Sequence, residues 1–484
     1  MNKINIKQCA TNNPKIIHIG LGAFHRAHQA LYTSELIDQG KTNWTINSIN
    51  LFSSIELING LREQNNRYAV LEIGPKSEQI KISKSITHCF HPALDGRTTV
   101  LEALADISTS IVSLTITEKG YSIEPSSSTL DTCNPLIQQD LQSPQSPQSA
   151  IGYIVEALRL RKENQRPAFT VMSCDNIQSN GDVARKAVLG YAKLIDFALY
   201  EWIKNHVTFP NTMVDRIVPA MTPETLTYIE NQLGYADPCA IACEPFRQWV
   251  IEDNFVNGRP DWNKVGAEFV EDVVPYEQMK LRMLNGSHSF LSYLGYLSGY
   301  RTISEVIHDK KFLKATLDFM LTEQAPTLNL PEKVDVEQYA KLLVERFSNN
   351  NLQHATSQIA TDGSQKLPPR FCESLIHNRN KQIQTHWLEL GVAAWMNYVI
   401  GTDDEGKSIE VNDPLSPIFD KIKSDSVSDW ERAQKLISLK SIFSQHIASD
   451  SELVDKIIEK FISIRELGAK ATLYKMTDEM NVNQ

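Results

Sequence analysis

The 484-residue chain contains no run of about eighteen apolar residues, so nothing in it reads as a membrane-spanning helix. Its opening stretch, MNKINIKQCATNNPK, lacks the apolar centre of a secretory signal, and the expectation is a cytoplasmic protein. Cysteine is sparse and unpatterned. Cys9, Cys89, Cys133, Cys174, Cys239, Cys243 and Cys372 follow neither a disulfide framework nor zinc-finger spacing, and they read as reduced thiols. Cys239 and Cys243 form a Cys-x-x-x-Cys with no second Cys/His pair behind it, so no metal site is expected. Basic clusters are missing too. At a net charge of −10 the chain has no footprint for nucleic acid, which leaves small molecules as the expected partners. The C-terminal half has no 20-to-50-residue repeat from which a helical scaffold would be built.

The length exceeds what one hydrophobic core usually serves, and two domains are expected. KIIHIG, from Lys15, is an apolar strand pattern that stops at glycine. AHQALYTSELIDQG follows with helical periodicity and Gly40 as its C-cap, and WTINSINLF from Trp44 completes a βαβ unit. IKISKSITHCF, DISTSIVSLTITEKGY and AFTVMSCDN supply further strands. This alternation predicts an α/β, doubly wound, mostly parallel sheet of Rossmann type. SPQSPQS, Ser143 to Ser149, is read as a surface loop. From about Tyr276 the patterns become long and helical. The expected division is a dinucleotide-binding domain over 1–275 and a mostly α-helical substrate and catalytic domain over 276–484.

Gly20 and Gly22 follow the first strand, where a glycine turn lets backbone N–H groups approach a pyrophosphate. The third glycine of GxGxxG is replaced by His25. Arg26 adds a cation in the first helical turn that a phosphate would favour; His25 and His28 read as satisfied polar residues, not catalysts. The acid that normally binds the adenosine ribose is absent: the second strand ends in Asn50-Leu51-Phe52-Ser53-Ser54, and the first acid beyond is Glu56. No arginine stands there either, which favours NAD over NADP.

KLRMLNGSHSF, from Lys280, places an ammonium, a carboxamide and an imidazole in an otherwise apolar stretch. On an α-helix at about 100° per residue, Asn285 lies about 140°, His288 about 80° and Glu277 about 60° around from Lys280. The four fit one side, with Leu281, Leu284 and Phe290 opposite, as in a helix that lines a polar cavity. A solvated face with one chance histidine is the competing reading.

Taken in order, GLGAFHRAHQALY, TITEKGY, SCDNIQSNG, MVDRIVP, EPFRQWVIEDNF and KLRMLNGSH resemble the long-chain mannitol dehydrogenase and fructuronate reductase family of polyol and sugar-acid oxidoreductases. The resemblance spans nearly the whole chain. It implies a nicotinamide-binding domain, a helical domain, no catalytic metal and a Lys-x-x-x-x-Asn-x-x-His catalytic helix, here Lys280, Asn285 and His288. Ketone reduction needs a hydride, a proton donor and hydrogen-bond donors aimed at the developing alkoxide. Lys280 suits the proton, with burial expected to lower its pKa toward neutral. Asn285 and, by the resemblance, Asn176 suit the oxyanion, and His288 a neighbouring substrate hydroxyl. Glu277 is a candidate proton relay, against the alternative of an exposed Glu-x-x-Lys pair. Asp215 stands where the family places a substrate-pocket acid; a buried ion pair with Arg216 or another base is the alternative. Glu118 and Lys119 are expected at a strand's carboxyl end near the cofactor, with Gly20, Gly22, Phe24, Arg26 and Asn50.

In QIATDGSQKLPPR, Gln358 stands where the sugar-alcohol enzymes usually carry arginine, and the segment resembles the fructuronate reductase branch. The expected substrate is therefore D-fructuronate, reduced reversibly to D-mannonate with NADH, and Lys366 and Arg370 are candidates for its carboxylate against a reading as surface cations. Mannitol 2-dehydrogenase or another polyol dehydrogenase of the family is the alternative. A non-catalytic nucleotide-binding protein is more remote, having no need of Lys280, Asn285 and His288 together. The pattern specifies no oligomeric state.

Overall fold

A computed structural model describes residues 14–75, 77–124, 127–350 and 354–482. Cys9 and the stretch 1–13 lie outside them. The chain divides into two compact units between Val274 and Pro275.

The first unit is built on five parallel strands: β1 (Lys15–Ile19), β2 (Thr45–Ile49), β3 (Ile86–Phe90), β4 (Thr109–Leu114) and β5 (Thr170–Ser173), in the order β3-β2-β1-β4-β5. Period-2 alternation sorts their side chains into two cores. Ile17, Ile19, Val112, Leu114 and Val171 pack under the helices Arg97–Ala105, Ala150–Glu163 and Asn180–Ile195. Ile16, Ile46, Ile111 and Met172 meet Ala30, Leu31 and Leu36 of the helix Gln29–Asp38 on the other face. The chain winds outward from β1 one way and from β4 the other. The topological switch therefore lies between their carboxyl ends, where open α/β sheets bind ligands.

SPQSPQS is more than a surface loop. Pro147 and Ser149 are buried. The Asp140 carboxylate accepts from Gln148 N (2.7 Å), Ser149 N (2.9 Å) and Ser149 Oγ (2.5 Å), and Ser149 caps the helix Ala150–Glu163 by accepting from Gly152 N. Capping draws the end of this proline-rich stretch inward.

The second unit is helical. The helix His386–Val399 is buried along nearly its whole length and packs between Gly286–Leu297 and Ser451–Leu467. Its first turn is capped by the Glu323 carboxylate, whose two oxygens accept from Trp387 N and Leu388 N at 2.8 Å each. Among the described residues three segments are π-turns: Lys280–Asn285, Phe319–Gln324 and Pro368–Cys372. Among the described residues no helix is long and apolar enough to cross a membrane.

Gly20 and Gly22 answer to different constraints. Gly20 has φ +106°, and a Cβ there would stand 2.0 Å from the carbonyl oxygen of Thr115. Gly22 has φ −91° and ψ 178°, open to any residue, and its Cβ would meet only Gly20 O at 4.0 Å. Gly20→Ala is expected to lower stability by about 1–3 kcal/mol from backbone strain alone, and Gly22→Ala to stay within about 0.5 kcal/mol of wild type. Urea unfolding of the two variants measures both.

Candidate active site

In the first unit a cleft opens at the switch point. It is lined by Ile19 and Gly20 after β1, Asn50, Leu51 and Phe52 after β2, and Thr115, Ile116, Thr117, Lys119 and Gly120 after β4, with Ser149 and Ala150 at its far side. Gly20, Asn50 and Lys119 thus share one cleft. Glu118 is exposed beside it, and Gly22 and Phe24 begin the helix that leaves the glycine turn. The space above Gly22, which a side chain would fill without strain, fits the close backbone approach of a pyrophosphate. Asn50 closes its own turn, donating from Nδ2 to Ser53 O at 2.6 Å.

Arg26 is buried inside the first unit. Its guanidinium is only 7% exposed, donates to the carbonyl oxygen of Cys239 and lies over the Tyr68 ring at 5.5 Å. The Cys239 contact ties this buried arginine into the unit, while its Nε has no hydrogen-bond partner among the described residues. Asp215, 6% exposed, ends the strand Thr212–Asp215. Arg216 reaches the Glu72 carboxylate at 2.5 Å and the carbonyl oxygens of Ala27 and Glu244. Asn176 is exposed three residues beyond β5.

Sequence pattern did not single out the groups that shape this cleft. Asp175, beside Asn176, accepts from the backbone N–H of Ile116 (3.0 Å) and Thr117 (2.9 Å) and from the Tyr121 hydroxyl (2.6 Å), and so folds the turn after β4. Burial raises its pKa. Under the glycine turn His18 contacts Ser113 Oγ (2.8 Å), Thr115 Oγ1 (2.9 Å) and Gly20 O (3.0 Å), and stacks on His25 with ring centroids 3.4 Å apart. Burial pushes His18 down to about 3 and His25 well below the usual imidazole value. Both rings are neutral and structural.

In the second unit Glu277 lies on the short helix Val274–Met279, and Lys280, 8% exposed, opens the first π-turn. The α-helical angles assumed from sequence do not hold here. Gly286 N donates to Leu281 O, five residues back. A turn closed by i→i+5 bonding sets fewer degrees between successive residues than α geometry, so Asn285 lies nearer to the Lys280 side than the about 140° of an α-helix. The His288 ring packs against Phe347 (4.7 Å) and His354 (5.9 Å). Its Nε2 is buried with no hydrogen-bond partner among the described residues. Desolvation, then His354 and Arg346, lower its pKa well below 6.5, so the imidazole is neutral.

Two expected carboxylate ligands prove engaged within the unit. Lys366 Nζ donates to Thr361 O (2.6 Å) and Ile359 O (3.2 Å), with Thr361 Oγ1 at 3.4 Å. Arg370 Nη1 donates to Ser289 Oγ (2.8 Å) and Asn285 O (3.1 Å). Reaching a substrate carboxylate would require Lys366 to give up one of these oxygens. Gln358 is exposed on the short helix Thr356–Ile359. Among the described residues no three His, Cys, Asp or Glu are grouped to hold a metal ion.

A switch-point cleft with an open glycine turn in one unit, and in the other a π-turn carrying Lys280 and Asn285 with His288 on the helix that follows, describe a nicotinamide-dependent dehydrogenase. Residues 14–264 match the family described as "Mannitol dehydrogenase Rossmann domain", and residues 272–465 match "Mannitol dehydrogenase C-terminal domain". The chain belongs to the mannitol dehydrogenase family. It is 53% identical to the D-mannonate oxidoreductase of Escherichia coli (strain K12) over 94% of each chain. Among solved structures it is similar to Pseudomonas fluorescens mannitol 2-dehydrogenase in ternary complex with NAD and D-mannitol, at 37% identity and TM-score 0.78 over 99% of each chain. It is also similar to D-sorbitol dehydrogenase in substrate-free form, at 33% identity and TM-score 0.89 over 96% of this chain and 97% of that one.

The neutral histidines give a pH dependence with a definite sign. A base whose folded pKa is depressed favours the folded state above its unfolded pKa, and this is lost as pH falls through 6.5 toward the folded value. Stability is therefore expected to fall below pH 6.5 by at most about 1.4 kcal/mol per histidine for each pH unit. Urea unfolding between pH 5 and 8 measures it, and His25→Phe, which keeps a ring on His18, should flatten the slope.

Proposed function

We propose that this protein is an NAD-dependent oxidoreductase that interconverts D-fructuronate and D-mannonate. The observation that carries the chemistry is the π-turn that holds Lys280 and Asn285, with His288 beyond it and its Nε2 without a hydrogen-bond partner among the described residues. The substrate rests on the similarity to the D-mannonate oxidoreductase. When bound, NADH supplies the hydride to C2 of the keto sugar acid.

The chain's own residues do the rest. Gly20 and Gly22 give backbone access to the pyrophosphate, while Phe24, Asn50, Glu118 and Lys119 surround the nucleotide side. As the C2 carbonyl becomes an alkoxide, the Lys280 ammonium gives it a proton and is left neutral. The Asn285 carboxamide donates an N–H bond to that oxygen without adding charge, the role that the family resemblance also gives Asn176. Glu277 takes a proton from solvent and relays it to the neutral Lys280 amine, and Asp215 and Gln358 keep the substrate-binding roles that the family resemblance gives each. His288 stays neutral, so its Nε2 has one fixed role toward a substrate hydroxyl, as acceptor or donor according to tautomer.

Lys280→Ala is expected to lower kcat by about 10²- to 10⁴-fold with the affinity for NADH retained. Steady-state assays at neutral pH together with NADH titration measure both, and near-normal turnover would remove Lys280 as the proton donor. Gly22→Val is expected to weaken NADH binding about tenfold, or about 1.4 kcal/mol, at unchanged stability. NADPH should be the poorer reductant; a clear preference for it would overturn the reading of Asn50 to Ser54.

Oxidation of mannitol is the second reading, favoured by the engagement of Lys366 with its own loop. The ratio of kcat/KM for fructuronate over fructose decides between them. A ratio of about 10⁴ is expected of a site built around a carboxylate, and comparable values would move the chain to the mannitol reading. If Lys366 exchanges a loop oxygen for the carboxylate, Lys366→Ala lowers the ratio.

A further inference from the structure

π-Turns are rare and concentrate at functional sites. The three in the second unit pack on one another. Phe319 of the second meets Phe371 of the third at 5.7 Å between ring centroids. Gln324 Nε2 donates to Arg370 O at 2.9 Å, and Gln324 Oε1 accepts from Ser374 Oγ at 2.6 Å, so one amide ties the second turn to the third. The Lys280–Asn285 turn is tied to both. At its middle, Arg282 donates from Nη1 to Thr327 O (2.8 Å) and Thr327 Oγ1 (2.9 Å), and from Nη2 to Glu373 (3.2 Å). At its last residue, Arg370 donates to Asn285 O and, one helical turn on, to Ser289 Oγ.

We infer that Arg370 is a positioning residue: by holding the backbone of Asn285 and the next helical turn together, it fixes where the Asn285 carboxamide stands relative to Lys280. The inference rests on the reading of Lys280 as proton donor and Asn285 as oxyanion donor. A turn closed by i→i+5 bonds has neighbours closed by i→i+4 bonds on its C-terminal side, and the junction falls at Asn285 and Gly286. The junction is where the helix could revert to α geometry and swing Asn285 away from Lys280. A planar guanidinium gripping a carbonyl on one side of it and a hydroxyl on the other opposes that rotation; a lysine, with a flexible stem and a point charge, opposes it less. Burial pushes Arg370 down to about 10, which leaves it charged at neutral pH.

The test is a double-mutant cycle on the full-length enzyme, using D-fructuronate and NADH: wild type, Arg370→Ala, Asn285→Ala and the double variant, each with a thermal unfolding midpoint. Expected for Arg370→Ala is a fall in kcat of about 10- to 100-fold, the scale on which misplacement by about 1 Å acts. KM for NADH should stay near wild type, and added guanidinium ion should restore part of kcat. In the Asn285→Ala background the same substitution should cost less than about threefold, because the group it aims is already gone. Equal factors in both backgrounds would overturn the positioning role. A loss confined to KM for the sugar acid would also overturn it, and would return Arg370 to the substrate carboxylate. Wild-type kcat in Asn285→Ala would overturn the catalytic reading itself, and this inference with it. Should Arg370→Ala fail to fold, Arg370→Lys and Ser289→Ala take its place: each is expected to lower kcat with coupling to Asn285→Ala, and additivity in both would be fatal.

Discussion

A helical turn closed by i→i+5 hydrogen bonds is held open against the α-helix on either side, and at Lys280–Asn285 the support comes from far along the chain. Arg282 reaches Thr327 and Glu373, and Arg370 reaches back to Asn285. Those partners are secured in turn. Thr327 Oγ1 donates to the carbonyl of Gln324, whose amide joins Arg370 to Ser374. Glu323, next to Gln324, caps the buried helix His386–Val399, which packs on the helix that continues from Asn285. The supports close on themselves. A carboxylate at a helix N-terminus is favoured by the dipole and by the two N–H bonds, yet desolvation prevails and pushes Glu323 up to about 8. The unit tolerates that penalty at the place where the central helix and the π-turns are joined.

The nucleotide side uses a different device. Its glycine turn is held from beneath by uncharged polar groups: His18 between Ser113, Thr115 and Gly20 O, with His25 stacked above and Gln29 accepting from Ser113 Oγ. A charged group there would face a large desolvation penalty. Neutral imidazoles provide directed hydrogen bonds under a turn whose upper surface must remain available to an anion.

The first unit was legible in the sequence because its signals are local. KIIHIG, WTINSINLF, TSIVSL and TVMS each carry a strand's apolar run, and the glycine that ends the first sits at the switch point. The helical texture of the second unit was equally plain. The Lys280–Asn285 turn was legible only as composition. Lys280, Asn285 and His288 stood out as polar groups that α periodicity fits to one side of an apolar stretch, but a π-turn leaves no mark on hydrophobic spacing. What enforces it is non-local: Thr327, Glu373 and Arg370 lie 45 to 91 residues from their partners. Asp175 was hidden likewise, since its task is set by backbone N–H groups after another strand.

The cations show why charge read from sequence misleads about ligands in this fold. Arg26, Lys366 and Arg370 were natural candidates for phosphate or carboxylate from their sequence setting. In the folded chain Arg26 holds the carbonyl of Cys239, Lys366 those of Ile359 and Thr361, and Arg370 that of Asn285. Arg216 likewise gathers Ala27 O and Glu244 O, and Arg161 gathers Pro167 O and Thr109 O. Carbonyl oxygens left over at turns and strand ends are buried acceptors that need donors, and guanidinium groups offer several in one plane. An anion-binding role for any of these side chains must therefore compete with backbone oxygens already in reach. The open backbone above Gly22 meets no such competition, and recognition of a phosphate there needs no side-chain cation at all.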